Sequence, residues 1–258
     1  MRLLPPEIAE SLNKSKCLDF IYESAGKALD QIRENVPRAA GLLTEEAEKC
    51  LTDNFYERYE LIYAQCLMKE IRTRLERYDP VGLMLGRFDP ESVSKSANDL
   101  YESCGGNIGT YLHDRFPLLD GYRDHIYQNY VDCFTDFLKA FIDRKDEVSA
   151  SFLDGKPITR ILHLSTGGAD IHRNGRCVVG VKTDVGTVYY KPHDCGLDSL
   201  YYEIVDRWFS DCTVAAGVIE GEGYAFVSCL KHEPVSSKED IRTFFRNFGV
   251  LAALFHDS

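Results

Sequence analysis

The sequence predicts an α+β fold, with a helical region over residues 1–150 followed by a small, mainly antiparallel sheet with helices over residues 151–258. Three observations lead to this. Apolar residues recur at helical spacing as far as about Lys145. After Ser149 the texture changes to short β-branched and aromatic runs separated by glycine-containing turns. A chain of 258 residues, 44% hydrophobic and 28% charged, can bury one sizeable core.

The clearest helix begins at Thr44, an N-cap followed by Glu45 and Glu46, because acids favour the positive end of the helix dipole. Its buried stripe runs through Leu51, Phe55, Tyr59, Ile62 and Cys66, then Leu67, Ile71, Leu75 and Tyr78, and it ends at Asp79-Pro80. DPVGLMLGRFDP (79–90) and CGGNIG (104–109) read as turn-rich breaks. A periodic run from Ile126 to Ile142 closes the helical half, its aromatics explained by core spacing. Strands are predicted at Ile158–Leu164, Cys177–Thr183 and Thr187–Pro192, the last two joined by a hairpin turn at Asp184-Val185-Gly186. Leu197–Ser210 reads as a helix packing on this sheet, and Thr213–Ile219 and Tyr224–Cys229 as two further strands. Ser237 and Asp240 form a capping-box pattern opening a helix with Ile241, Phe244, Phe245, Phe248, Ala252 and Phe255 on one face. That helix carries no stop signal before Ser258, so a cut polypeptide is expected.

The net charge of −11, from 41 acids against 30 bases without a basic run, argues against nucleic-acid and anionic-membrane partners and favours a basic or peptide partner. No apolar stretch approaches the ~18 residues of a membrane span, and MRLLPPEIAESLNKSK lacks the apolar run of a signal peptide, so a cytoplasmic location is expected. The nine cysteines are scattered with no CxxC pair, which argues against a disulfide framework and a zinc knuckle and leaves no predicted metal site.

Chemistry concentrates in GGADIHRNG (167–175) and TVYYKPHD (187–194). In an extended backbone Asp170 and His172 project to one side, where the carboxylate can orient the imidazole for proton transfer. Gly167, Gly168 and Gly175 let the chain turn sharply and approach a ligand. On spacing alone this stretch also reads as a polar hairpin loop whose Asp caps a turn. Lys191, closing a strand just before Pro192, can place a compact positive charge over nucleotide phosphates, or simply face solvent. Glu203 and Asp206 on the next helix are candidate partners for it. His163, His193 and His232 have no ligand spacing.

Taken together, G-x-D-x-H-x-x-G followed by a strand ending Y-K-P resembles the dehydratase domain of class II lanthipeptide synthetases, whose pattern is similar to GDxHxxGxxV, a hairpin and YKPR. Gly168, Asp170, His172, Gly175 and Val178 match the first part, and Tyr190, Lys191 and Pro192 the second. DRFPLLDGY (114–122) and FFRNFGVLAALF (244–255) extend the resemblance over most of residues 114–258. It implies a fold like the N-lobe of the lipid kinases, with the C-lobe absent. It also implies ATP- and magnesium-dependent phosphorylation of Ser and Thr in a leader-bearing precursor peptide, followed by elimination to dehydroalanine or dehydrobutyrine. Lys191, with Gly168 and Gly175, would then serve ATP binding, and Asp170 and His172 the elimination chemistry.

Two departures accompany the resemblance. His193 stands where the family has arginine, exchanging a permanent charge for a titratable one. The family's Asp-x-His-x-x-Asn segment, its later metal-binding Asp, its Arg and Thr elimination residues and its zinc-dependent cyclase domain are expected beyond Ser258, which makes these residues inactive alone. The other readings are a non-catalytic remnant that binds a peptide or partner, and a kinase-like phosphotransferase with another substrate.

Overall fold

The structure, a computed structural model, describes residue 12 and residues 16–166, 173–210, 214–230 and 234–256. The fold is α+β, with eight α-helices and one open five-stranded antiparallel sheet among the described residues. The chain divides into two compact units, residues 1–140 with 171–176, and residues 141–170 with 177–258.

The first unit is helical. Helix α1 (Asp19–Asn35) buries Ile21, Ala25, Ala28, Leu29 and Ile32 along one face, against α2 (Glu45–Tyr78). The N-cap of α2 is Thr44, whose hydroxyl accepts the Ala47 N–H at 3.3 Å, with Glu45, Glu46 and Glu48 in its first turn. Leu51, Phe55, Tyr59, Tyr63, Leu67, Ile71 and Leu75 are its buried line. Tyr63 thus replaces the expected Ile62 and Cys66, which are only half-buried, and Tyr78 is exposed. A strict four-residue repeat advances about 40° around a 3.6-residue helix at each step, so the line winds around α2 instead of keeping to one side. That suits a helix packed by α1 and α4 and reached by Tyr130, whose ring meets Phe55 edge-on at 5.0 Å and whose hydroxyl donates to the Leu51 carbonyl at 2.5 Å.

Residues 79–90, read as a break, contain the short helix α3 (Pro80–Leu85). The Asp79 carboxylate accepts the Gly82 N–H at 2.8 Å and Pro80 opens the turn, so the residues that stop α2 also start α3. Asp89 caps α4 (Pro90–Ser103) and Asn107 caps α5 (Ile108–Arg115) in the same way. Helix α6 (Leu118–Phe152) is longer than its periodic run and carries the chain from the first unit into the second.

The second unit holds β1 (Ile161–Ser165), β2 (Val179–Thr183), β3 (Thr187–Lys191), β4 (Val218–Gly221) and β5 (Tyr224–Ser228), in the order β1-β2-β3-β5-β4. Every pairing is antiparallel, with Val181 opposite Val188 and Tyr190 opposite Phe226. Val179, Val181, Val188, Tyr190 and Phe226 are buried, and Phe141 of α6 meets Phe226 at 5.9 Å. The predicted β2–β3 turn is present: Thr183 N–H donates to the Gly186 carbonyl at 2.8 Å, and the Asp184 carboxylate accepts the Thr159 N–H at 3.2 Å. Strand β4 is shorter than expected, since its pairing starts at Val218; the Ser228 N–H still reaches the Gly217 carbonyl at 2.9 Å.

Helix α7 (Gly196–Phe209) differs from expectation in its packing. It buries Val205 but exposes Leu197, Leu200, Ile204 and Trp208. Helix α8 (Lys238–His256) opens with the predicted capping box, Asp240 N–H donating to Ser237 Oγ at 3.0 Å and Ser237 N–H to Asp240 Oδ2 at 2.8 Å. Its stripe of Ile241, Phe244, Phe245 and Phe248 is also exposed. No helix among the described residues is long and apolar enough to cross a membrane.

Candidate functional site

Strand alternation places Lys191. On β3 the side chains of Val188 and Tyr190 are buried, so Thr187, Tyr189 and Lys191 project from the opposite, more open face. Lys191 is the last residue of the strand, and four residues, Pro192 to Cys195, lead into α7. This connection is folded on itself: Asp194 Oδ1 accepts the Gly196 N–H at 2.8 Å and the Cys195 carbonyl accepts the Ser199 N–H at 2.8 Å. The first turn of α7 therefore lies beside the strand end.

There Lys191 Nζ donates to Asp198 Oδ2 at 2.7 Å, with the two side chains 25% and 40% exposed. Burial is the strongest influence on the lysine and works against its charge. The hydrogen bond and charge of Asp198, with Cys195 and Tyr202 nearby, outweigh it and hold the ammonium above its usual range. The same hydrogen bond from Lys191 holds Asp198 below the usual carboxylate range, against the opposing effect of burial. Burial pushes the Cys195 thiol up to about 11, so it stays protonated. His193 Nδ1 lies 2.9 Å from the Asp194 carbonyl and 3.7 Å from Cys195 Sγ.

The partner of Lys191 is thus Asp198, which the sequence reading missed; Glu203 and Asp206 are exposed along α7. The signal was available, because an acid in the first turn of the helix that follows a strand lysine is carried back toward the strand end by a short connection.

The Asp170–His172 pair and Gly168 lie outside the described residues, as do Gly167 and His232. Gly175 is described. It has φ +74° after Asn174 at φ +58°, two consecutive left-handed residues that reverse the chain. Its carbonyl accepts a 2.7 Å hydrogen bond from Arg58 Nη1 on α2, and Arg58 itself is buried over the Tyr130 ring at 5.2 Å. Arg176 Nη2 pairs with Asp136 at 3.2 Å. Arg58 is 117 positions from Gly175, and no local pattern could have joined them.

The fold and this strand end define an α+β protein whose antiparallel sheet presents an ion-paired lysine where a strand gives way to a helix. Residues 116–257 match a family described as a domain of unknown function, DUF4135, and the chain belongs to that family. No curated protein matches the chain.

Proposed function

We propose that this chain is part of a lanthipeptide dehydratase of the class II synthetase kind, whose sheet, like the N-lobe of a lipid kinase, presents Lys191 to the phosphates of ATP. The observation that carries the reading is the placement of Lys191: a half-buried ammonium, fixed by Asp198, at the end of the strand in the Y-K-P segment that follows G-x-D-x-H-x-x-G. A fixed point charge of this kind fits a phosphate oxygen. The residues beside it do not fit magnesium equally well. The neighbouring Asp198 carboxylate is engaged by Lys191, and the sequence has no Asp-x-His-x-x-Asn segment. ATP, when bound, supplies the phosphoryl group; these residues hold and orient its phosphates, while Asp170 and His172 serve elimination from a leader-bearing precursor peptide.

The test is the mass of a precursor peptide. Incubated with ATP and magnesium, the 258 residues alone leave the peptide unchanged, since metal and hydroxyl-positioning groups act as a unit with the lysine. Joined to a segment that supplies Asp-x-His-x-x-Asn, the later metal-binding Asp and the Arg and Thr elimination residues, they yield dehydrated peptide, and His172→Ala in that chain leaves retained phosphate. Untouched peptide from the His172→Ala chain would remove His172 from elimination.

A second reading has its own support. The exposed stripes Leu197, Leu200, Ile204, Trp208 on α7 and Ile241, Phe244, Phe245, Phe248 on α8 are the kind of apolar surface that binds another polypeptide, which favours a non-catalytic binding module. Nucleotide binding that depends on Lys191 separates the two.

A further inference from the structure

We propose that the short helix α3 and the cations around it form a docking surface for an acidic segment of another polypeptide that also carries apolar side chains. The helix belongs to the first unit, precedes residues 116–257, and its role does not depend on the reading of Lys191.

Val81, Met84 and Leu85 stand at i, i+3 and i+4, one face of the six-residue α3, and are 62%, 80% and 62% exposed. Single exposed apolar residues are ordinary, whereas three adjoining ones on so short a helix form a patch. The helix turns its bare side inward instead. Gly82 is buried, and a Cβ there would collide with the Asp79 carboxylate and the Arg87 carbonyl. The turn is clasped at both ends. The Asp79 carboxylate accepts the Gly82 N–H at 2.8 Å and the Asp89 N–H at 3.4 Å, Gly86 closes the helix at φ +65°, and the Arg87 N–H donates to the Gly82 carbonyl at 2.9 Å. The three apolar side chains are therefore held out to water on a fixed backbone, so little backbone freedom is left to lose on binding.

Charge decides what fits this face. The whole chain, at −11, favours a basic partner, but the exposed side chains around α3 carry the opposite sign. Lys69 and Arg72 lie over the Phe116 and Phe88 rings at 5.3 and 5.6 Å, Arg77 is in the last turn of α2, Arg87 follows α3, and all four are exposed. The acids between Lys69 and Asp89 are mostly engaged within the fold. Glu70 is buried and accepts from Tyr111 and Arg115, while Asp79 and Asp89 cap α3 and α4. Glu76 is the exception, exposed on α2. A guanidinium matches a carboxylate, and a methionine side chain adapts to varied apolar surfaces, so a segment with acids beside apolar residues complements both parts of the patch. An anionic lipid surface offers the same charge but repels the remainder of an acidic chain, whereas a peptide segment meets this face alone.

The experiment selects a phage-displayed library of random peptides of about 12 residues, roughly three helical turns, on the full 258-residue chain. Enriched peptides are synthesised with a fluorophore and titrated by anisotropy against the wild type, the Met84→Ser, Leu85→Ser double variant and the Arg72→Ser, Arg87→Ser double variant. All four positions are exposed, and circular dichroism checks that helix content is kept. The enriched peptides should combine Asp or Glu with Leu, Ile or Phe. They should bind the Met84→Ser, Leu85→Ser variant about 10-fold or more weakly, the scale of losing two apolar anchors, and the Arg72→Ser, Arg87→Ser variant more weakly and with less dependence on salt. No enrichment, enriched peptides without excess acid, or equal affinity in the wild type and both variants overturns the proposal. So does concentration-dependent self-association in sedimentation that the Met84→Ser, Leu85→Ser variant abolishes, which would make the face an interface between copies. Binding to phosphatidylserine vesicles that is lost in the Arg72→Ser, Arg87→Ser variant would make it a membrane surface and overturns the proposal as well.

Discussion

Gly175→Ala tests the turn that follows the Asp170–His172 stretch. At φ +74° an L residue carries the left-handed penalty of about 1–2 kcal/mol. The added Cβ would stand 3.2 Å from Arg58 Nη1 and 3.3 Å from Asn129 Cβ, closer than such contacts normally come. Asn129 belongs to α6 and yields little, so the guanidinium must retreat and its 2.7 Å bond to the Gly175 carbonyl weakens. Hydrogen bonds to charged groups contribute about 1.5–3 kcal/mol, and a partial loss added to the strain gives about 2–3 kcal/mol of destabilisation. The assay is urea unfolding followed by far-ultraviolet circular dichroism, with an unchanged denaturant slope marking a change in stability alone. Asn174→Gly is the control: φ there is already +58°, so glycine should change stability by less than about 0.5 kcal/mol. If Gly175→Ala cost no more than this control, neither the strained turn nor the Arg58 clasp would hold the segment as described.

Three further outcomes are expected. Thr44→Ala, which removes the cap of α2, should lower stability by about 1 kcal/mol in the same unfolding assay. Tyr111→Phe should cost about 1.5 kcal/mol, because the Tyr111 hydroxyl donates at 2.7 Å to the buried Glu70 carboxylate. The Lys191–Asp198 pair should stabilise the fold only within a pH window. Asp198 is lowered from 3.8, so its contribution is present above 3.8 and lost as pH falls through the lowered value; Lys191 is raised from 10.5, so its contribution is present below 10.5 and lost as pH rises through the raised value. The difference in stability between wild type and Asp198→Asn, measured across pH, should shrink at both ends.

Local signals were the most legible in the sequence. The Thr44 cap, the stop at Asp79-Pro80, the β2–β3 turn and the Ser237–Asp240 box each depend on residues within a few positions, and each is present. Packing was less legible. Amphipathicity marks the apolar stripes of α7 and α8 but says nothing about what covers them, and both are exposed. The buried line of α2 drifted from the expected one because a helix contacted on several sides has no single inner face. At the candidate site, strand alternation and the trailing proline marked Lys191, whereas its partner depended on how tightly four residues fold back. The Arg58–Gly175 bond depended on tertiary structure altogether.

The proposed contact of Lys191 with nucleotide phosphate is measurable by calorimetric titration of a non-hydrolysable ATP analogue with magnesium. Lys191→Met keeps the apolar stem and removes the charge, and circular dichroism checks that the fold is kept. The wild type should bind measurably and Lys191→Met about 10- to 100-fold more weakly, the scale of a charge-assisted phosphate contact. Equal affinity in the two proteins would contradict it.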